Sequence, residues 1–136
     1  MKKILLILII FCLTIYPAFA WGKKNKAVLT LADSYESAIN KESKFIFKTN
    51  SRIYFSISNP KGFTSDYIKY QIIKQEDNAH VGGFTRVKNE TVRIKNKNNY
   101  TDYFLITQKG KYFIQIFNIT NLQQWVAIQG FQVVEE

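Results

Sequence analysis

The chain has 136 residues, 46% hydrophobic and 15% aromatic, with 19 basic and 10 acidic side chains and a single cysteine. That length accommodates one domain that buries a core without staples, and one cysteine excludes an intrachain disulfide framework. The net charge of +9 either favours anionic partners such as acidic glycans and negatively charged envelope surfaces or serves solubility alone.

Residues 1–20 have the layout of an export signal. Lys2 and Lys3 open it, Ile4 to Ile15 is an almost unbroken apolar run, and Ala18-Phe19-Ala20 supplies a small-x-small cleavage site. The run is too short to span a bilayer, and no other segment reaches the ~20 apolar residues that a spanning helix needs. Cys12 falls inside this signal behind the bulky Phe11, a poor setting for a lipid anchor. Removal of residues 1–20 leaves a chain without cysteine and with 17 basic to 10 acidic residues, a net charge of +7. Export argues against nucleic acid as the anionic partner.

Residues 21–26 read as a lysine-rich, disordered lead-in, and 27–136 as a single domain. Ala27 to Leu31 is a first short strand. In Asp33 to Asn40, one or two helical turns behind a Ser34 cap or a kinked edge strand fit the pattern equally. Lys44 to Lys48 alternates with Phe45 and Phe47 on one face. Arg52 to Ser58 alternates cleanly, with Ile53, Phe55 and Ile57 inward. Asn59-Pro60-Lys61-Gly62 is a turn, because proline fixes φ and glycine accepts positive φ. Tyr67 to Lys74 follows as a strand with Ile68, Tyr70 and Ile72 inward.

Glu76 to Gly83 reads as a loop. Residues 84–95 then fit a hairpin with a two-residue turn at Asn89-Glu90. That register pairs Arg86 with Arg93 and Lys88 with Thr91. It gathers Arg86, Lys88, Arg93 and Lys95 on one face and Thr85, Val87, Val92 and Ile94 on the other. Tyr103 to Thr107 is a further strand. Gly110 to Ile119 is the most strongly patterned stretch, with apolar residues on both parities, and reads as a central strand covered on both faces. Trp125 to Val134 returns with a change of parity at Gly130 that a β-bulge would produce.

About eight short strands and no sustained helical period indicate an all-β fold: two antiparallel sheets packed as a sandwich. The Gly110-x-Tyr112 entry into a penultimate strand, followed by one last hairpin partner, resembles immunoglobulin-like sandwiches. The resemblance covers the last 30 or so residues, without the family's cysteine pair or its tryptophan, and implies a fold outline, not a function. Ser65-Asp-Tyr-Ile68 and Thr101-Asp-Tyr-Phe104 each open a strand and read as independent strand entries, not a duplication.

Catalytic chemistry lacks a pattern. There is one histidine, His80, no nucleophile elbow, no metal-protease helix and no phosphate loop. Asp66 and Asp102 are the carboxylates to probe for sugar hydrolysis. Glu76, Asp77, Asn78 and His80 carry metal-ligand atoms, yet their spacing matches neither a calcium loop nor a zinc pair, so no metal or cofactor is expected. Sequons at Asn89, Asn99 and Asn118 are no more than the composition supplies by chance.

Two sets of residues are candidates for contact. The basic hairpin, Arg86, Lys88, Arg93 and Lys95, places Arg86 against Arg93 at a cost of ~0.2–1 kcal/mol, which either an anionic ligand or protection against edge pairing would explain. Tyr54, Tyr67, Tyr103 and Trp125 have outward parity, and flat aromatics there stack on sugar rings or bury in a protein partner. The expected function is an exported, non-enzymatic binding or structural module of the envelope or extracellular space. Its partner would be a protein or an anionic polysaccharide, and a carbohydrate- or anionic-glycan-binding module is the alternative. A small hydrolase is the remaining possibility.

Overall fold

A computed structural model describes residues 27–76, 83–119 and 121–136, with 121–125 described as backbone only. The proposed signal and lead-in, and Asp77, Asn78 and His80, lie outside the described residues. The elements are β1 (Val28–Ala32), α1 (Tyr35–Ile39), β2 (Ile46–Lys48), β3 (Arg52–Ser58), β4 (Tyr67–Gln75), β5 (Phe84–Arg93), β6 (Asn99–Leu105), β7 (Gly110–Asn118) and β8 (Asn121–Val134). They form a three-stranded sheet, β1-β3-β6, and a five-stranded sheet, β2-β8-β7-β4-β5. All pairings are antiparallel except β2 with β8, which is parallel. Among the described residues no helix is long and apolar enough to cross a membrane.

Each sheet turns one parity inward. Leu31, Ile53, Phe55, Ile57 and Phe104 come from the three-stranded sheet, and Ile68, Tyr70, Ile72, Tyr112, Ile114, Ile116, Phe131 and Val133 from the other; all are buried. Aromatic rings bind the layers together. The Phe55 ring lies 4.8 Å from Tyr70 across the interface and 6.0 Å from both Tyr100 and Phe104. Phe104 reaches Phe131 at 5.7 Å, which stacks on Tyr112 at 5.5 Å. These separations suit offset and edge contacts, which add ~0.5–1.5 kcal/mol per pair to the burial itself.

Local chemistry sets the ends of the elements. Ser34 caps α1, its side-chain oxygen accepting from the Ser37 N–H at 3.2 Å; of the two readings of residues 33–40, the helical one holds. Gly62 closes the predicted turn, its N–H donating to the Asn59 carbonyl at 2.8 Å, with φ of +77°. The Tyr112 hydroxyl donates to the Gln108 carbonyl at 2.7 Å and ties the start of β7 to the loop before it.

Three expectations are corrected. Residues 84–93 do not fold back at Asn89-Glu90; they form one ten-residue edge strand along β4. Arg86 therefore lies opposite Ile73, and Arg93 opposite Tyr67, roughly 20 Å apart along the strand. Pairing with the long β4 buries Val92 beside Ile68, which a free-standing hairpin with a poor turn could not match. Second, Gly130 stays in register opposite Phe113; the register shifts instead nearer the turn, between the pairs Ile116–Ala127 and Phe117–Trp125 and again between Phe117–Trp125 and Asn118–Asn121. The glycine is needed for space, since a Cβ there would stand 3.1 Å from the Phe113 ring. Third, β7 is interior to its sheet, but only its Tyr112, Ile114 and Ile116 face meets the other layer. On the other parity Phe113 and Gln115 are half-buried and Phe117 is buried, without joining the core between the sheets.

Two measurements follow from the core. Phe55→Ala is expected to lower unfolding free energy by about 3–5 kcal/mol in urea titration, since a fully buried ring with three aromatic partners leaves a cavity. Burial pushes the Tyr70 and Tyr100 hydroxyls well up, and Asp102, which accepts from the Tyr100 hydroxyl at 2.8 Å, adds to both shifts. Unfolded phenols ionise near pH 10, whereas these keep their protons when folded. The folded state then binds more protons, so their contribution is complete below about pH 10 and is lost above it, by ~1.4 kcal/mol per pH unit for each tyrosine. Urea midpoints measured up the alkaline limb are expected to fall more steeply in the wild type than in Tyr100→Phe.

Candidate functional site

The outer face of the three-stranded sheet carries side chains of the opposite parity to the core. Strand register sets them in rows. Val28, Ser58 and Asn99 form one row; Thr30, Ser56 and Thr101 the next; Ala32, Tyr54 and Tyr103 the third. Two hydroxyl-bearing rows therefore lie beside an aromatic one. In the middle row the Thr101 hydroxyl donates to Ser56 Oγ at 3.1 Å.

α1 lies on this face against β1, β3 and β6. The chain reaches it from β1 and leaves it toward β2, and the Lys44 ammonium donates to the Asp33 carboxylate at 2.7 Å across the base of that excursion. The hydrogen bond from Lys44 holds the Asp33 carboxyl below the usual carboxylate range. Both groups are about half exposed, so the pair stabilises by no more than ~1 kcal/mol. It nonetheless fixes where α1 sits.

Between α1 and the sheet is a cavity of about 330 Å³, at the small end of the range for ligand sites. Thr30, Ser56, Ser58 and Thr101 line its floor, Asn98 and Asn99 one end, and Tyr35, Ile39 and Lys41 the α1 side. Among the described residues lining it there is no carboxylate. The Ser58 Oγ is buried, and among the described residues no protein group hydrogen-bonds to it. Beside the cavity the aromatic row continues as a ladder. Tyr35 meets Tyr54 edge-on at 6.5 Å, Tyr54 meets Tyr103 at 5.7 Å, and the Arg52 guanidinium sits 4.8 Å above the Tyr103 ring. Hydrogen bonding with Tyr54, then the fields of Tyr103 and Tyr54, raise the Arg52 pKa further above its ordinary value, so the group is a permanent cation.

The sequence-predicted contact residues divide between the two sheets. Tyr54 and Tyr103 come together on this face. Tyr67 lies on the outer face of the five-stranded sheet, opposite Arg93 and about half exposed. Trp125 is in β8 opposite Phe117, and its side chain lies outside the described residues. The basic set does not share one face. Arg86 and Arg93 have outward parity, as do their partners Ile73 and Tyr67, whereas Lys88 pairs with inward-facing Ile72 and reaches 5.9 Å over the Tyr70 ring. Lys95 lies beyond β5, 4.0 Å from Asp66. Asp66 and Asp102 are likewise apart, one before β4 and the other in β6 with its carboxylate on Tyr100. Among the described residues no three of the His, Cys, Asp and Glu side chains gather where they could hold a metal ion.

Sequence reasoning missed the cavity. The alternating Thr30, Ser56, Ser58 and Thr101 are the signal that could have found it: small hydroxyls at outward positions on what become three neighbouring strands. Lys41 carried a second signal only the backbone reveals, a φ of +62° outside glycine.

No protein-family model matches the chain, and no curated protein matches it in sequence. Solved structures share its architecture at low identity. The PmoD soluble domain from Methylocystis sp. ATCC 49242 (Rockwell) superposes with a TM-score of 0.53 at 12% identity, over 82% of this chain and 93% of that one. A superoxide reductase (neelaredoxin) from Ignicoccus hospitalis, variant T24K, gives a TM-score of 0.48 at 8% identity, over 83% and 85%. The first of these likenesses extends to the two-sheet fold and no further.

Proposed function

We propose that the protein is an exported, non-enzymatic binding module of the periplasm or extracellular space, built as one domain over residues 27–136 after a cleaved signal. Its contact surface is the outer face of the three-stranded sheet. The observation that carries this reading is the cavity under α1, with its hydroxyl and amide lining and the tyrosine ladder beside it. These groups can orient and hold a ligand, and none of them forms the nucleophile–base pair that bond-making would need. The partner is a protein or an anionic polysaccharide of the envelope.

An immunoglobulin-like outline is part of the proposal. The strand orders β1-β3-β6 and β8-β7-β4-β5 support it, as does β2 alongside β8. So does Tyr112, whose hydroxyl returns to the backbone four residues upstream, in the manner of the tyrosine corner of those sandwiches.

A second reading rests on Arg93 lying opposite Tyr67, with Arg86 on the same outer face of the five-stranded sheet. That face would take an anionic polymer and would lose it at high salt.

Co-sedimentation of the purified protein with envelope polysaccharide separates the readings. Tyr54→Ala/Tyr103→Ala is expected to lower retention about tenfold or more with the circular dichroism unchanged. Wild-type retention by that variant would remove this face from the account. Loss in Arg86→Glu/Arg93→Glu instead, together with wild-type retention that falls as salt is added, would move the site to the five-stranded sheet.

A further inference from the structure

Four features of the cavity under α1 bear on what it holds. Its floor carries the hydroxyls of Thr30, Ser56, Ser58 and Thr101, a group type that both donates and accepts. Thr30 and Ser56 are themselves almost completely buried, so this polar floor is built into the fold and is not ordinary wet surface. The Ser58 Oγ is out of contact with solvent and, among the described residues, has no protein partner, a state that costs stability. The lining holds one cation, Lys41, and no carboxylate among its described residues.

The backbone at Lys41 adds an independent observation. The residue follows the C-terminus of α1, its N–H donating to the Ala38 carbonyl at 3.3 Å, and its φ is +62°. Glycine or asparagine takes that conformation with less strain. The other two described non-glycine residues with positive φ are both asparagine, Asn50 and Asn96. The left-handed conformation ends α1, where the Glu42 N–H also donates to the Ser37 carbonyl at 2.9 Å, and it sets Lys41 at the edge of the cavity.

Resting on the reading of this face as the contact surface, we propose that the cavity binds one carboxylate-bearing sugar unit of the uronic-acid class. Lys41 meets the carboxylate. Thr101 exchanges hydrogen bonds with the ring hydroxyls, and Tyr35 covers an apolar C–H face of the ring. A phosphate or sulfate group would call for several cations or a nest of backbone N–H groups, and this lining offers a single cation among hydroxyls. A neutral sugar would leave Lys41 without a counter-charge. The volume of about 330 Å³ suits a single residue of a polymer, whose neighbours would run along the Tyr54–Tyr103 ladder.

The experiment is a titration of the ¹⁵N-labelled protein followed by its amide NMR shifts, with methyl glucuronide, methyl glucoside and inorganic phosphate as separate probes. The glucuronide is expected to move the amides of Ser56, Ser58 and Thr101 saturably, and the other two probes to bind at least about fivefold more weakly. Lys41→Gly is expected to weaken the glucuronide about fivefold while leaving the thermal midpoint unchanged or raised, because it relieves a strained backbone. A purely structural role for Lys41 would lower the midpoint and leave binding alone. Absence of saturable shifts, equal binding of glucoside or phosphate, or wild-type affinity in Lys41→Gly would each overturn the proposal. If the glucuronide fails but Tyr54→Ala/Tyr103→Ala still loses envelope polysaccharide, the sugar assignment falls and the contact face stands. If both fail, the face falls with it.

Discussion

The two sheets are held in place by a relay of aromatic rings. Phe55 touches Tyr70 in the opposite sheet and Tyr100 and Phe104 in its own, and Phe104 passes the contact to Phe131 and Tyr112. Rings meet best within a narrow range of distance and tilt, so this relay sets both the spacing of the layers and the way one sheet sits over the other. Once the inward parity of each strand is committed to it, the outward parity is free for other chemistry. In β3, the same seven residues that carry Ile53, Phe55 and Ile57 inward carry Tyr54, Ser56 and Ser58 to the opposite face.

That division explains why the hydroxyl rows could become buried without weakening the core. Thr30 and Ser56 are covered from outside by α1, not by the second sheet. α1 is a short helix on a sheet face, with one buried residue, Ala38. Its hold comes from the Ser34 cap, the Asp33–Lys44 pair and Tyr35 against Tyr54, each of modest strength. The cavity roof is therefore the least firmly held part of the site, over a floor formed by three paired strands.

Much of the fold was legible because side-chain alternation survives burial. The inward residues of β3 and β4 were identifiable from parity, and so was the turn at Asn59–Gly62. The failures share a cause. The stretch 84–95 alternates as well for one long strand as for a hairpin, since both keep the period of two. What decided against the hairpin was β4, the preceding strand, which offers a full-length partner. Gly130 looked like a bulge because its neighbours change character, but a glycine under the Phe113 ring has the same appearance in sequence. Of the contact residues, the pairing of Tyr54 with Tyr103 was not readable at all, because nothing local says that β3 and β6 are neighbours.

The amino-acid sequence by itself determined the class of fold, the positions of most strands and which parity of β3 and β4 is oily, because those depend on residues close together in the chain and on the pleat of a single strand. It also determined the basic surplus. Tertiary structure alone decided which strands lie side by side, and with that which outward residues form rows, where α1 closes over them, and that Arg86, Lys88, Arg93 and Lys95 do not act as one patch. The physical reason is that a site on a sheet is assembled across strands, at right angles to the chain. Sequence spacing describes distance along a strand and carries no record of the hydrogen-bonded direction.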